Sequence, residues 1–149
     1  MSEGEEEIDV YTDGASRGNP GHACSAFILI KDRVTLEEGV QYLGEVTNNT
    51  AEYQAIIHGL DAAARRGGRR LAVHSDSELV IRQINGQYSI RQKHLSELCK
   101  EVEMLTRRFD SVRFCSVPRT HPLIQRADFL CNQCLDAEVG LRGSRRYTG

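Results

Sequence analysis

The 149 residues, 40% hydrophobic and 27% charged with a net charge of −2, suit one domain large enough to bury a core without metals or disulfides as staples. No apolar run is long enough to span a bilayer, and the start, MSEGEEEI, has no basic segment leading into an apolar one, so the expected location is cytoplasmic. The five cysteines (Cys24, Cys99, Cys115, Cys131, Cys134) are odd in number and scattered, which does not read as a disulfide framework.

In chain order, an acidic tail over 1–7, expected to be disordered, precedes one domain over 8–140. IDVYTD (8–13) alternates and reads as a strand, followed by a glycine-rich loop. ACSAFILIKD (23–32) reads as a buried strand, and RVTLEEGVQYLG (33–44) as its hairpin partner through Asp32 and Arg33. A helix follows, capped by Asn48 or Asn49, with Tyr53, Ile56, Ile57, Leu60 and Ala64 on one face until Gly67 and Gly68 end it. LAVHSD (71–76) is a strand ending in an acid, SELVIRQING (77–86) a short helix, 94–109 a helix and SVRFCSV (111–117) a strand. The last helix is expected over 124–138, before a basic tail over 141–149 that is flexible in composition. From Arg82 onward there are 12 Lys and Arg against 7 Asp and Glu, an electrostatic footprint that a polyanion could use.

The order βββαβααβα predicts an α/β domain: an antiparallel meander joined to parallel strands by helical crossovers, with helices on the faces of a mixed sheet. Sites in such sheets lie at the carboxyl ends of parallel strands. Asp13 ends the first strand and Asp76 the fourth, so both would lie at one edge if those strands are parallel neighbours. Glu52, one turn into the first long helix, and Asp128, at the start of the last, could lean over the same edge. Carboxylates brought together repel unless a cation is shared. Four hard oxygen donors with no adjacent Cys or His point to Mg²⁺ or Mn²⁺ before zinc.

The stretches YTDGASRGNPG (11–21), TNNTAEYQAIIHGL (47–60), HSDSELVIRQINGQY (74–88) and PRTHPLIQRADFL (118–130) resemble, in order, the motifs of the ribonuclease HI family. The resemblance covers Ile8 to about Ala137. It implies the ribonuclease H fold, a five-stranded mixed sheet in order 3-2-1-4-5 with helices on both faces. It implies an endonuclease that cuts the RNA strand of RNA·DNA hybrids with two divalent ions, leaving a 5′-phosphate and a 3′-hydroxyl. Double-stranded RNA stays open as a second substrate, and a binding module without catalysis as an alternative. The enzyme is expected to be a monomer.

Carried over by position, the resemblance makes Asp13, Glu52, Asp76 and Asp128 the metal ligands and catalytic acids, with Asp13 the least replaceable. Gly14, Ala15 and Ser16 would pass close to the RNA ribose, whose 2′-hydroxyl separates RNA from DNA. Asn19 and Asn48 would contact the hybrid. Where many members carry Gln, this chain has Glu78, an acceptor only. Ile124 stands where an Asn is usual, and Gln125 is its candidate substitute. His121 matches a loop histidine placed near the reacting phosphate, with a proton-relay or product-release role. The basic, Trp-bearing protrusion of some members is missing. Arg91, Lys93, Arg142, Arg145 and Arg146 are its partial substitutes, and weaker hybrid affinity is expected. Cys131 and Cys134 form a Cys-x-x-Cys without a second pair and read as core or surface thiols.

Overall fold

The computed structural model describes residues 7–148, with side chains for residues 7–140. It contains β1 (Glu7–Gly18), β2 (Gly21–Lys31), β3 (Val34–Val46), α1 (Asn48–Arg65), β4 (Arg70–Ser75), α2 (Glu78–Ile84), α3 (Lys93–Thr106), β5 (Ser111–Ser116) and α4 (Pro122–Thr148). The sheet order is β3-β2-β1-β4-β5. β1, β2 and β3 form an antiparallel meander, and β4 pairs in parallel with both β1 and β5. This is the ribonuclease H topology expected from the sequence.

Local chemistry sets the boundaries. Asp32 and Arg33 make the β2–β3 turn with φ of 51° and 64°, the left-handed pair that matches strand twist in a two-residue hairpin. Thr47 caps α1, its side chain accepting from the Thr50 N–H at 3.3 Å, where the sequence pattern points to Asn48 or Asn49. The cap therefore starts the helix one residue earlier and leaves both Asn side chains free of that task. Gly67 (φ 72°) ends the helix, with Gly68 N–H donating to the Ala63 carbonyl at 2.9 Å. Ser77 caps α2 by accepting from the Val80 N–H.

Three other boundaries differ from expectation. The glycine-rich loop after Asp13 is strand: β1 continues to Gly18, with Gly14 opposite Ser25 and Gly18 opposite Gly21. Two-residue periodicity fades there because the partner strand, not hydrophobicity, holds this half of β1. Glu7, placed in the acidic tail, instead opens β1 opposite Arg70 and bonds Arg113 at 2.9 Å. The rest of that tail lies outside the described residues. Helix α4 starts at Pro122 and runs to Thr148, past the expected end at 138 and through most of the basic tail.

Helices cover both faces of the sheet. On one, Ile8, Val10, Leu29, Leu71 and Val73 pack against Tyr53, Ile56 and Leu60 of α1, Val80 of α2 and Leu95 and Val102 of α3. On the other, Cys24, Ala26 and Ile28 meet Ala127, Leu130, Cys131 and Leu135 of α4. Side chains on that strand are mostly small, which lets α4 lie close and delivers its second turn to the sheet edge. No helix among the described residues is long and apolar enough to cross a membrane.

Candidate active site

The parallel pairing of β1 with β4 runs through Tyr11 opposite His74. Two residues further along each strand come Asp13 and Asp76, so register alone sets these acids side by side at the carboxyl edge. The first turn of α1 closes on the same edge. Gly14 permits this: a Cβ there would lie 2.2 Å from the Ala51 carbonyl carbon and 2.4 Å from the Glu52 nitrogen. The Gly14 N–H instead donates to Glu52 Oε1, which aims that carboxylate back toward Asp13.

Ligand atoms of Asp13, Glu52 and Asp76 all lie within 4.8 Å of one another. They line an open cleft of about 330 Å³ with Gly14, Ala15, Asn48, Arg119, Ile124, Gln125 and Asp128. Asp128, on the second turn of α4, lines the same cleft, close enough for its charge to raise the Asp13 carboxyl.

Burial and mutual repulsion dominate the electrostatics. The Asp13 carboxyl is pushed up to about 8, first by burial, then by Asp76 and Asp128, with Arg119 pulling it down. Glu52 is held well above the usual carboxylate range by burial and then by Asp13 and Asp76, against the Gly14 N–H and Arg119. Asp13 Oδ2 is buried without a hydrogen-bond partner. A buried, unsatisfied carboxylate oxygen among other carboxylates is costly unless a cation meets it. These hard oxygen donors therefore fit a divalent ion of the Mg²⁺ or Mn²⁺ kind.

The remaining sequence-derived residues divide. Asn19 lies beside the cleft, its Oδ1 accepting from the Asn48 N–H at 3.1 Å. The Ser16 hydroxyl has the carbonyls of Val46, at 2.9 Å, and Gly18 as acceptors within reach of its one proton, which ties the ends of β1 and β3. Glu78 is exposed on α2, paired with Arg82 at 2.8 Å, and does not line the cleft. His121 does not line it either. Its ring stacks on Tyr11 with centroids 4.8 Å apart, and its Nδ1 accepts from the Leu123 N–H at 3.1 Å. Gln125 does line the cleft, beside buried Ile124. Cys131 is buried and donates to the Asp13 carbonyl at 3.5 Å, while Cys134 is half-buried against the same core.

Arg119 carries no mark in the sequence. It is the one Lys or Arg lining the cleft among the described residues, its Nε 3.4 Å from Asp76 Oδ2. The available signal was chemical: four acids gathered at one edge call for a cation nearby. Nothing local distinguishes Arg119 from the chain's other basic residues.

A family described as "Reverse transcriptase-like" matches residues 11–134. The ribonuclease HI of Halobacterium salinarum is 38% identical over 130 residues, covering 87% of this chain and 64% of that protein. A bifunctional protein of Mycobacterium tuberculosis is 37% identical over 133 residues, 88% of this chain but 36% of the longer protein. The chain thus spans between about a third and two thirds of these relatives' length. The crystal structure of the Halobacterium RNase H1 superposes with a TM-score of 0.84 at 37% identity, covering 88% of this chain and 98% of that one. LC11-RNase H1, solved in complex with an RNA/DNA hybrid, gives 0.83 at 33% identity, covering 89% and 99%. The chain belongs to the ribonuclease H family.

Proposed function

We propose that this chain is an endonuclease that hydrolyses the RNA strand of RNA·DNA hybrids with two divalent ions, leaving a 5′-phosphate and a 3′-hydroxyl. The observation that carries this reading is the convergence of Asp13, Glu52 and Asp76 within 4.8 Å around a buried carboxylate oxygen without a partner. The hybrid bound to a relative of the same fold supports the substrate.

Asp13, Glu52, Asp76 and Asp128 would hold the ions, with Mg²⁺ the first candidate and Mn²⁺ the second. When bound, such ions supply Lewis-acid chemistry at a phosphodiester. The chain's own residues do the rest. Asp13 feels each of the other three acids, so it is the residue whose loss reaches the whole cluster. Burial of Asp13 and Glu52 keeps their oxygens out of bulk water and in fixed positions. Gly14 and Ala15 bring bare backbone to the cleft wall, close enough for a ribose 2′-hydroxyl to be sensed against it. Asn48, joined to Asn19, offers amide groups on the same side. Five free cysteines agree with a reducing, cytoplasmic setting, and we take the working unit to be a monomer.

The test is cleavage of a labelled RNA·DNA hybrid, with double-stranded RNA and DNA alongside, in Mg²⁺, Mn²⁺ or chelator. We expect cutting of the hybrid's RNA strand only with metal, and a loss of at least about 10³-fold in kcat in Asp13→Asn. Cutting in chelator, or full activity in Asp13→Asn, would overturn the reading.

A further inference from the structure

The segment between β5 and α4 carries Arg119 to the acid cluster, and both of its ends are anchored. At one end the Val117 N–H donates to the Ser75 carbonyl at 2.9 Å, immediately before Asp76. At the other, the His121 N–H closes a four-residue turn on the Pro118 carbonyl at 3.0 Å, and the His121 carbonyl accepts from the Gln125 N–H at 3.0 Å. Arg119 sits inside that turn.

His121 holds the second anchor in two ways. Its Nδ1 accepts from the Leu123 N–H, satisfying one of the orphan donors at the start of α4. Its ring stacks on Tyr11, which also stacks on His74 at 4.5 Å. His74 is in turn held by Asp9 at 2.9 Å. Tyr11 precedes Asp13 by two residues and His74 precedes Asp76 by two. The stack therefore indexes the Arg119 turn to the two strands that carry the acids.

Arg119 itself is almost free. Its side chain is 91% exposed, and the contact with Asp76 is a single Nε approach of 3.4 Å, the kind of exposed pair that adds little to stability. An arginine so placed, with most of its donors unspent beside a cleft of acids, can present its planar fork to an incoming phosphate.

Resting on the functional reading above, we propose that Arg119 contacts the substrate phosphate in the cleft and that His121 is a positioning residue, holding the Arg119 turn through its stack on Tyr11 and its cap on α4. The ring's nitrogens need no part in proton transfer for this role.

The test compares wild type with Arg119→Ala, Arg119→Lys, His121→Ala, His121→Phe and the Arg119→Ala/His121→Ala double variant. Hybrid cleavage is followed across pH, with folding checked by thermal melts. Arg119→Ala is expected to lower kcat/KM by about 10- to 100-fold, with Arg119→Lys in between. His121→Phe keeps the stack and should retain most activity and an unchanged pH profile, whereas His121→Ala should lose several-fold. That loss should vanish on the Arg119→Ala background, because the positioned group is gone. Hybrid binding in the Asp13→Asn background supplies a readout without cutting. The slope of log affinity against log salt should fall by about 0.9 for Arg119→Ala, one phosphate neutralised fewer. The proposal is wrong if Arg119→Ala matches wild type in kinetics and salt slope. It is equally wrong if His121→Phe is as impaired as His121→Ala and loses one limb of the pH profile, or if the His121→Ala loss persists without Arg119. A wild type that leaves hybrids uncut in either metal would instead refute the functional reading, and the salt slopes would still decide the role of Arg119.

Discussion

Asp13 shows how a candidate metal ligand trades against stability. Its carboxyl is pushed up to about 8 and that of Glu52 is raised too, chiefly by burial, so the metal-free folded chain keeps protons that the unfolded chain releases near pH 4. Over that interval the folded state binds more protons, and stability falls as pH rises. His58 works in the opposite sense, its ring held below the usual value by burial, but its contribution is complete above about pH 6.5. Between pH 7 and 8 the carboxyls decide. The melting temperature of the protein in chelator should therefore drop from pH 7 to pH 8, and added Mg²⁺ should raise it more at pH 8. Asp13→Asn should melt higher than wild type at pH 8 in chelator. A melting temperature that climbs over this range without metal would contradict the assignment.

At the scale of elements, the site depends on how closely α1 approaches β1. Gly14 is where the two meet, and the neighbours an added Cβ would face are backbone atoms of Ala51 and Glu52, which cannot swing aside as a side chain could. Gly14→Ala should cost on the order of 3 kcal/mol in urea unfolding, and surviving folded protein should bind metal poorly because the added Cβ pushes the first turn of α1, and with it the Glu52 carboxylate, away from the residue-14 N–H and from Asp13. Thr47→Ala removes only the α1 cap and should cost about 1 kcal/mol while leaving metal binding intact. The two variants thus separate helix stability from helix placement; equal effects on both measurements would show that the close approach at Gly14 has no special standing.

At the scale of the molecule, the start of α3 lies beside the start of α1 through His94 and Thr50, 2.7 Å apart. Exposed Arg91 and Lys93 lie just before His94 in the chain, candidates to meet the strand of a bound hybrid. Replacing both by Gln should reduce the salt slope of hybrid binding by up to about 0.9 for each phosphate no longer neutralised, with stability within about 0.5 kcal/mol of wild type. An unaltered slope would remove them from the interface. Side chains of Arg142, Arg145 and Arg146 lie outside the described residues, so their share rests on sequence alone.

Most of the fold was legible because it is written in local patterns: apolar spacing marked every helix and strand, and Gly67 and Gly86 marked where helices stop. The four acids were legible as a set from their residue chemistry and from the expected parallel pairing of β1 with β4, although Asp13 lies within β1 and not at its end. Less visible was whatever depends on a partner distant in sequence. GASRG has the composition of a loop but is strand because β2 pairs with it, His121 has the chemistry of a proton carrier but rests on Tyr11, and Arg119 had no local mark. The sequence by itself thus determined the elements, their order and the acids available, since these follow from periodicity, capping and residue chemistry. Only the tertiary structure brought Arg119 to those acids and set His121 against Tyr11, because stacking, register and burial join residues that the chain keeps 40 to more than 100 positions apart.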